Sequence, residues 1–149
     1  MEKTVDQQHY LLNKLFKAQD RFYYEAAAKA KLSETAFRIM YSLYDSRKSI
    51  TQSELCKDWY YSKQTINSAV KKLEEMEYVH LNAETGKGNR KRICLTPKGN
   101  AYGDENIKPL ICAEKAALRC FTNEERELLL SLMQKQLQQL KESTGNTCK

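Results

Sequence analysis

The sequence predicts a mainly α chain with one small β-hairpin (α+β). Three observations carry this. Apolar residues recur at three- and four-residue steps over most of the chain, helix-start signals punctuate that pattern, and the period breaks only between residues 78 and 95. At 149 residues the chain is long enough for one domain of usual size, or for a small module with helical extensions.

The first helix is predicted over about residues 5–31, with Leu12, Leu15, Phe16, Phe22, Tyr23, Ala26 and Ala30 on the helical spacing. Ser33 is a good N-cap residue for a second helix, which carries Phe37, Met40, Tyr41 and Tyr44. The polar run 45–49 ends it. Ile50 then precedes Thr51-Gln52-Ser53-Glu54, a capping box with a hydrophobic residue ahead of it, which opens a short third helix. Ser62 starts a fourth that runs to about Met76, with Ile66, Ala69, Val70, Leu73 and Met76 along one face. Tyr78–Leu81 and Arg92–Leu95 are short β-favouring runs, and the polar stretch 82–91 between them, with Gly86 and Gly88, makes a hairpin with a long basic tip. Thr96-Pro97 supplies the N-cap and first residue of a fifth helix, expected to bend near Pro109 where a backbone donor is missing. A second capping box, Thr122-Asn123-Glu124-Glu125, opens a last helix striped by Leu130, Met133, Leu137 and Leu140, with a frayed tail from Ser143.

Three helices followed by a hairpin match a winged helix-turn-helix module, placed at 33–97. Residues 1–32 and 98–143 form a helical region, and 144–149 a flexible tail. The outer helices carry apolar stripes that so small a module cannot cover, so they are read as dimerisation helices of a two-fold homodimer; packing on each other within one chain is the alternative.

Composition excludes several classes. No apolar run approaches the roughly 18 residues a spanning helix needs, and the N-terminal Met-Glu-Lys-Thr-Val-Asp lacks a signal-peptide apolar segment, so a cytoplasmic protein without membrane association is expected. Cys56, Cys94, Cys112, Cys120 and Cys148 are scattered without a Cys-x-x-Cys pair, and His9 and His80 are far from them in sequence; neither a zinc site nor a disulfide framework is expected. With five Gly there is neither a P-loop nor a Gly-x-Gly-x-x-Gly stretch, and no nucleophile–base pair is visible, so no cofactor and no enzyme activity are expected.

The fourth helix is the centre of the functional reading. Its apolar face is occupied by Ile66, Ala69, Val70 and Leu73, and its other face shows Lys63, Gln64, Thr65, Asn67, Ser68, Lys71 and Lys72. Amides can grip adenine with two hydrogen bonds, hydroxyls can reach any base, and Lys can contact guanine or phosphate. About 15 residues make a helix of about 22 Å, long enough to lie in a major groove. A solvated helix face is the bland alternative, and the neighbourhood favours the functional one. The formal charge is +6, and residues 86–99 hold Lys87, Arg90, Lys91, Arg92 and Lys98 with no acid, whereas the last helix is slightly acidic. A basic hairpin beside a reading helix suits phosphates and the narrow minor groove. Arg92 has a second reading, turned inward or paired with an acid.

The combination of Thr51-Gln52-Ser53-Glu54-Leu55, Ser62-Lys63-Gln64-Thr65-Ile66-Asn67, Val70-Lys71-Lys72-Leu73-Glu74 and Leu95-Thr96-Pro97-Lys98-Gly99 resembles a MarR-type bacterial transcriptional regulator over nearly the whole chain. The resemblance implies that the Ser62 helix is the recognition helix, that the hairpin is the wing, and that the wing arginine falls on Arg90. It implies DNA contacts from Ser53, Ser62, Lys63, Gln64, Thr65, Asn67, Ser68, Lys72, Lys87, Arg90 and Lys91. Three positions depart from the family pattern: Ser68 replaces an Arg often present on the recognition helix, Glu77 replaces the Gly that ends it, and Gly88-Asn89 replaces the acid before the wing arginine. Many relatives respond to a small aromatic acid or phenol. Tyr10, Phe16, Tyr23, Tyr41 and Tyr44 are the candidate residues for such an effector cleft, with plain core as the other reading.

The function expected is a sequence-specific DNA-binding transcriptional regulator, a ligand-responsive repressor that binds a pseudo-palindromic operator in double-stranded DNA as a homodimer. The alternatives are a winged-helix protein-interaction module and a regulator sensing oxidants through cysteine. Relatives of the latter kind use a Cys on the first helix, and this chain has none before Cys56.

Overall fold

The structure, a computed structural model, describes residues 2–146. The order is α1 (Val5–Lys29), α2 (Glu34–Ser46), β1 (Ile50–Thr51), α3 (Gln52–Trp59), α4 (Lys63–Glu75), β2 (Val79–Ala83), β3 (Lys91–Leu95), α5 (Pro97–Asn106), α6 (Lys108–Arg119) and α7 (Asn123–Asn146). Every predicted start signal is used. Thr51 and Thr122 close reciprocal capping boxes with Glu54 and Glu125, and Ser33, Ser62 and Thr96 each accept the N–H three residues on.

The expected hairpin is a three-stranded antiparallel sheet in the order β1-β3-β2. Two residues, Ile50 and Thr51, pair with Ile93 and Arg92 and make β3 the central strand. A strand of two residues leaves no period to read, which is why only the capping box showed there. The expected bend near Pro109 is a break: α5 ends at Asn106, Ile107 forms a one-residue turn with its N–H still on the Gly103 carbonyl, and α6 restarts at Lys108. Proline's missing N–H and the restriction it places on Lys108 account for the position. The last helix continues to Asn146, past the predicted fraying at Ser143. Residues 147–149 of the expected tail, with Cys148, lie outside the described residues.

Contacts divide the chain into two units, one up to Leu110 and one from Ile111 on. In the first, α2 is the hub. Phe37, Ile39, Met40 and Leu43 are buried with Leu55 of α3, Ile66, Val70 and Leu73 of α4, and Val79 and Ile93 of the sheet. Trp59 Nε1 donates to Ser42 Oγ at 2.8 Å while Arg38 stacks on its ring, which fixes the end of α3 on α2. α5 closes down on this body through two glycines. A Cβ at Gly99 would overlap the Tyr78 carbonyl, and one at Gly103 would overlap the Tyr44 ring. Tyr102 Oη donates to the Ala30 carbonyl at 2.7 Å and ties α5 to the end of α1.

Each of the first four helices is followed by a non-glycine residue in the left-handed region: Lys31, Arg47, Tyr60 and Glu77, with φ of 55–61°. After α4 the Glu77 N–H bonds the Glu74 carbonyl and the Tyr78 N–H bonds the Leu73 carbonyl, a Schellman-type closure with Glu in the glycine's place.

In the second unit no described side chain from Cys112 to Thr144 is buried. Leu128, Leu130, Met133, Leu137 and Leu140 of α7 are all about half exposed. Arg126 Nη1 donates to the Phe121 carbonyl at 2.6 Å, which organises the turn before α7.

Candidate nucleic-acid interface

Helix α4 is oriented by its apolar stripe. With Ile66, Ala69, Val70 and Leu73 buried, the opposite face is committed to solvent, and Lys63, Gln64, Asn67, Ser68, Lys71 and Lys72 are exposed on it. Ser62 and Thr65 spend their hydroxyls locally. The Ser62 Oγ accepts the Thr65 N–H at 3.1 Å and lies 2.8 Å from the Thr65 Oγ1, so these two start the helix before they serve anything else. Asn67 Oδ1 accepts from Gln52 Nε2 at 3.5 Å, a contact between α3 and α4 that the sequence does not announce. Gln64 and Ser68, four residues apart, stand side by side on the free face.

The wing is built around one acid. The tip, residues 84–90, is closed by the Glu84 N–H donating to the Arg90 carbonyl at 2.8 Å. The Glu84 carboxylate is only 19% exposed and faces Lys87 Nζ at 3.2 Å, Arg90 Nε at 3.3 Å and Arg92 Nη1 at 3.8 Å. The charge count over 86–99 stopped two residues short of it. The acid that the wing arginine lacks just before itself in sequence is supplied from the other strand's end.

Arg92 takes its inward reading. Its Nε donates to Ser49 Oγ at 2.8 Å and its Nη2 to the Ser49 carbonyl at 2.5 Å, with Glu54 3.7 Å away. Glu54 is the capping-box carboxylate of α3, accepting from the Thr51 N–H at 2.7 Å and the Thr51 hydroxyl at 2.9 Å. Those two hydrogen bonds, with Arg92 nearby, hold its carboxyl below the usual carboxylate value. Arg92 thus links the central strand of the wing to the start of the helix-turn-helix. Lys98 is also diverted, to Glu77 at 3.2 Å. Of the five cations counted on the hairpin, Lys91 alone has no acidic partner among the described residues.

Between the wing and the start of α3 lies a groove of about 290 Å³, lined by Thr51, Gln52, Ser53, Lys63, Leu81, Asn89, Arg90 and Lys91. It gathers Ser53, Lys63, Arg90 and Lys91 from the predicted contact set. Gln64, Asn67, Ser68 and Lys72 lie on the free face of α4, and Lys87 is drawn to Glu84. Sequence reasoning missed Gln52, Asn89 and Glu84. Tyr60 is 91% exposed at the turn between α3 and α4. Gln52 was findable, since it opens a helix whose next residue was already a candidate.

Of the five candidate effector residues, Tyr10 alone lines one of the described cavities on α1. Tyr44 is 2% exposed: its hydroxyl donates to Asp104 in a short hydrogen bond, and Arg47 stacks 3.8 Å above its ring. It takes the core reading. Tyr10 and Phe16 are exposed on the first half of α1, and Tyr23 and Tyr41 are half-buried. The cleft of about 390 Å³ between α1 and α5 is lined instead by Phe22, Glu25, Ala26, Lys29, Ala30, Glu105, Asn106, Pro109 and Leu110.

Three helices, a three-stranded sheet with a basic wing, and a polar helix face left free beside that wing define a winged helix-turn-helix protein. Residues 31–88 match the sequence model of the MarR family. MepR of S. aureus in its DNA-binding conformation superposes with a TM-score of 0.75 at 17% identity, over 89% of this chain and 98% of that one. NMB1585, a MarR family regulator from Neisseria meningitidis, gives 0.72 at 20% identity, over 99% and 100%. The S. aureus MepR–DNA complex gives 0.69 at 18% identity, over 93% and 99%. At these identities the likeness is one of fold. No curated protein matches the chain by sequence.

Proposed function

We propose that this protein is a sequence-specific DNA-binding transcriptional regulator acting as a homodimer on a pseudo-palindromic operator. The observation that carries the reading is the free polar face of α4. Its Gln, Asn, Ser and Lys side chains project from the helix without being covered by the chain's own body, next to a wing whose cations are held in place by Glu84. A helix so placed can read base edges in the major groove while the wing meets the backbone. The MepR structure in complex with DNA supports the same use of the same fold.

The dimer is inferred from apolar side chains that the chain leaves uncovered on α1 and α7. Leu15, Leu128, Leu130, Met133, Leu137 and Leu140 are each more than half exposed, and exposed apolar surface of this kind marks interaction sites. A second copy, related by a two-fold axis, would cover them and set two α4 helices into successive major grooves. In this reading the protein works in the cytoplasm as a repressor that occupies its operator. An effector would release it by binding better to the arrangement that does not fit DNA. The cleft between α1 and α5, with two Glu and one Lys on its walls, is the candidate place for an effector.

Selection of binding sites from random duplexes at physiological salt tests the proposal. The expected result is an inverted repeat with half-site centres roughly 34 Å apart. Binding with no enriched sequence would instead support the protein-interaction module.

A further inference from the structure

The groove between the start of α3 and the wing collects positive charge on two walls. Lys63, the first residue of α4, stands on one, and Arg90 and Lys91, where the wing tip rejoins β3, stand on the other. Neither Lys63 nor Lys91 has an acidic partner among the described residues. Lys63 also sits at the end of a helix where the backbone dipole is already positive, and the first turn of α4 holds no acid to offset it. An anion seated in the groove would be attracted by cations from both elements. Arg90 is held to this groove. Its Nε is 3.3 Å from Glu84, at the root of the tip, and it lines the groove together with Lys91.

We infer that this groove clamps one phosphodiester of the duplex backbone, with Lys63 on one side and Arg90 and Lys91 on the other. The wing arginine then serves the backbone rather than the floor of the minor groove. Glu84 is a positioning residue in this arrangement, acting through Arg90. The inference rests on the DNA-binding reading above and assigns the contact within it.

The test uses the full chain and the duplex recovered by site selection, with each phosphate replaced in turn by an uncharged methylphosphonate. One replacement per half-site should weaken the wild-type protein by about tenfold. That same replacement should cost Lys63→Ala and Arg90→Ala little, because the partner is already gone. Each variant should also lose about one unit of the salt slope. Glu84→Gln should shift the sensitive phosphate or blur it over neighbours, while Lys91→Ala leaves its position unchanged. All four side chains lie on the wing or at the start of α4, clear of the core, so circular dichroism should report folded protein. Two results would overturn the clamp while leaving DNA binding intact. In one, Lys63→Ala and Arg90→Ala map to different phosphates. In the other, the Arg90→Ala loss disappears when A·T pairs under the wing become G·C. Displacement of the duplex by a nucleoside monophosphate at micromolar concentration would reassign the groove to a free phosphate ester, and would also refute the clamp. A wild-type protein that binds no duplex would remove both the clamp and the function it rests on.

Discussion

Replacing Arg92 with Met removes the link between the wing and the helix-turn-helix while keeping most of the side chain's length. The loss comprises hydrogen bonds to Ser49 Oγ at 2.8 Å and to the Ser49 carbonyl at 2.5 Å, and ion pairs to Glu54 at 3.7 Å and Glu84 at 3.8 Å. Hydrogen bonds from a charged donor contribute roughly 1.5–3 kcal/mol where solvent is excluded. The Arg92 side chain is 30% exposed, so the two bonds together are taken as about 2–3 kcal/mol. The ion pairs lie beyond hydrogen-bond distance and are partly wet, so they add less than about 0.5 kcal/mol each. For a chain of this length each kcal/mol moves the melting temperature by roughly 2–4 °C, giving an expected drop of about 5–10 °C. Thermal unfolding followed by circular dichroism at fixed protomer concentration measures it, and fixing the concentration matters because a dimer's melting depends on it. Repeating the scan in 0.5 M salt separates the contributions, since hydrogen bonds to Ser49 are barely screened. A drop below about 2 °C, or one that vanishes in high salt, would refute the reasoning. Ser49→Ala should cost less, and combined with Arg92→Met should add almost nothing to the latter alone.

The Glu54 carboxyl is held below its ordinary value of 4.5 by the Thr51 hydrogen bonds, so its contribution to stability is complete above that value and is lost as pH falls through the depressed one. Chemical unfolding across pH 2–6 should therefore show a shallower acid limb for Glu54→Gln than for the wild type. Gln64→Ala and Asn67→Ala should each cost roughly 1–3 kcal/mol on the selected duplex and almost nothing on random DNA, measured by fluorescence anisotropy. Equal losses on both would remove these residues from base reading. Leu137→Glu places a charge on the apolar stripe of α7 and should convert dimer to monomer in sedimentation velocity at micromolar protein; an unchanged sedimentation coefficient would move the interface elsewhere.

Much of the fold was legible because local chemistry decided it. Ser33, Thr51, Ser62, Thr96 and Thr122 each cap the helix they announce, and Ile66, Ala69, Val70 and Leu73 face inward as their spacing requires. β1 was not legible, because Ile50 and Thr51 become a strand only by pairing with Ile93 and Arg92 about forty residues later in the chain. The candidate interface divides in the same way. The free face of α4 follows from helical periodicity alone. The role of Glu84 does not, since it depends on how the hairpin closes and brings residues 84, 87, 90 and 92 together. Tyr44 shows the converse limit: an aromatic at helical spacing suits a cleft as well as a core, and only the close approach of Gly103 decides between them.

The four left-handed residues that follow α1 to α4 bear on how stiff the DNA-reading body is. Lys31, Arg47, Tyr60 and Glu77 each hold a backbone shape that glycine reaches without steric penalty, and each penalty is on the order of 1 kcal/mol. A side chain at these joints also narrows the range of backbone angles open to them, which glycine would widen. Successive helices are therefore hinged on corners that resist bending, and α4 inherits its aim from three stiff joints in sequence before it. Introducing glycine at these corners would relax the strain and slacken the aim together, so thermal resilience and operator discrimination would move in opposite directions in the same variants.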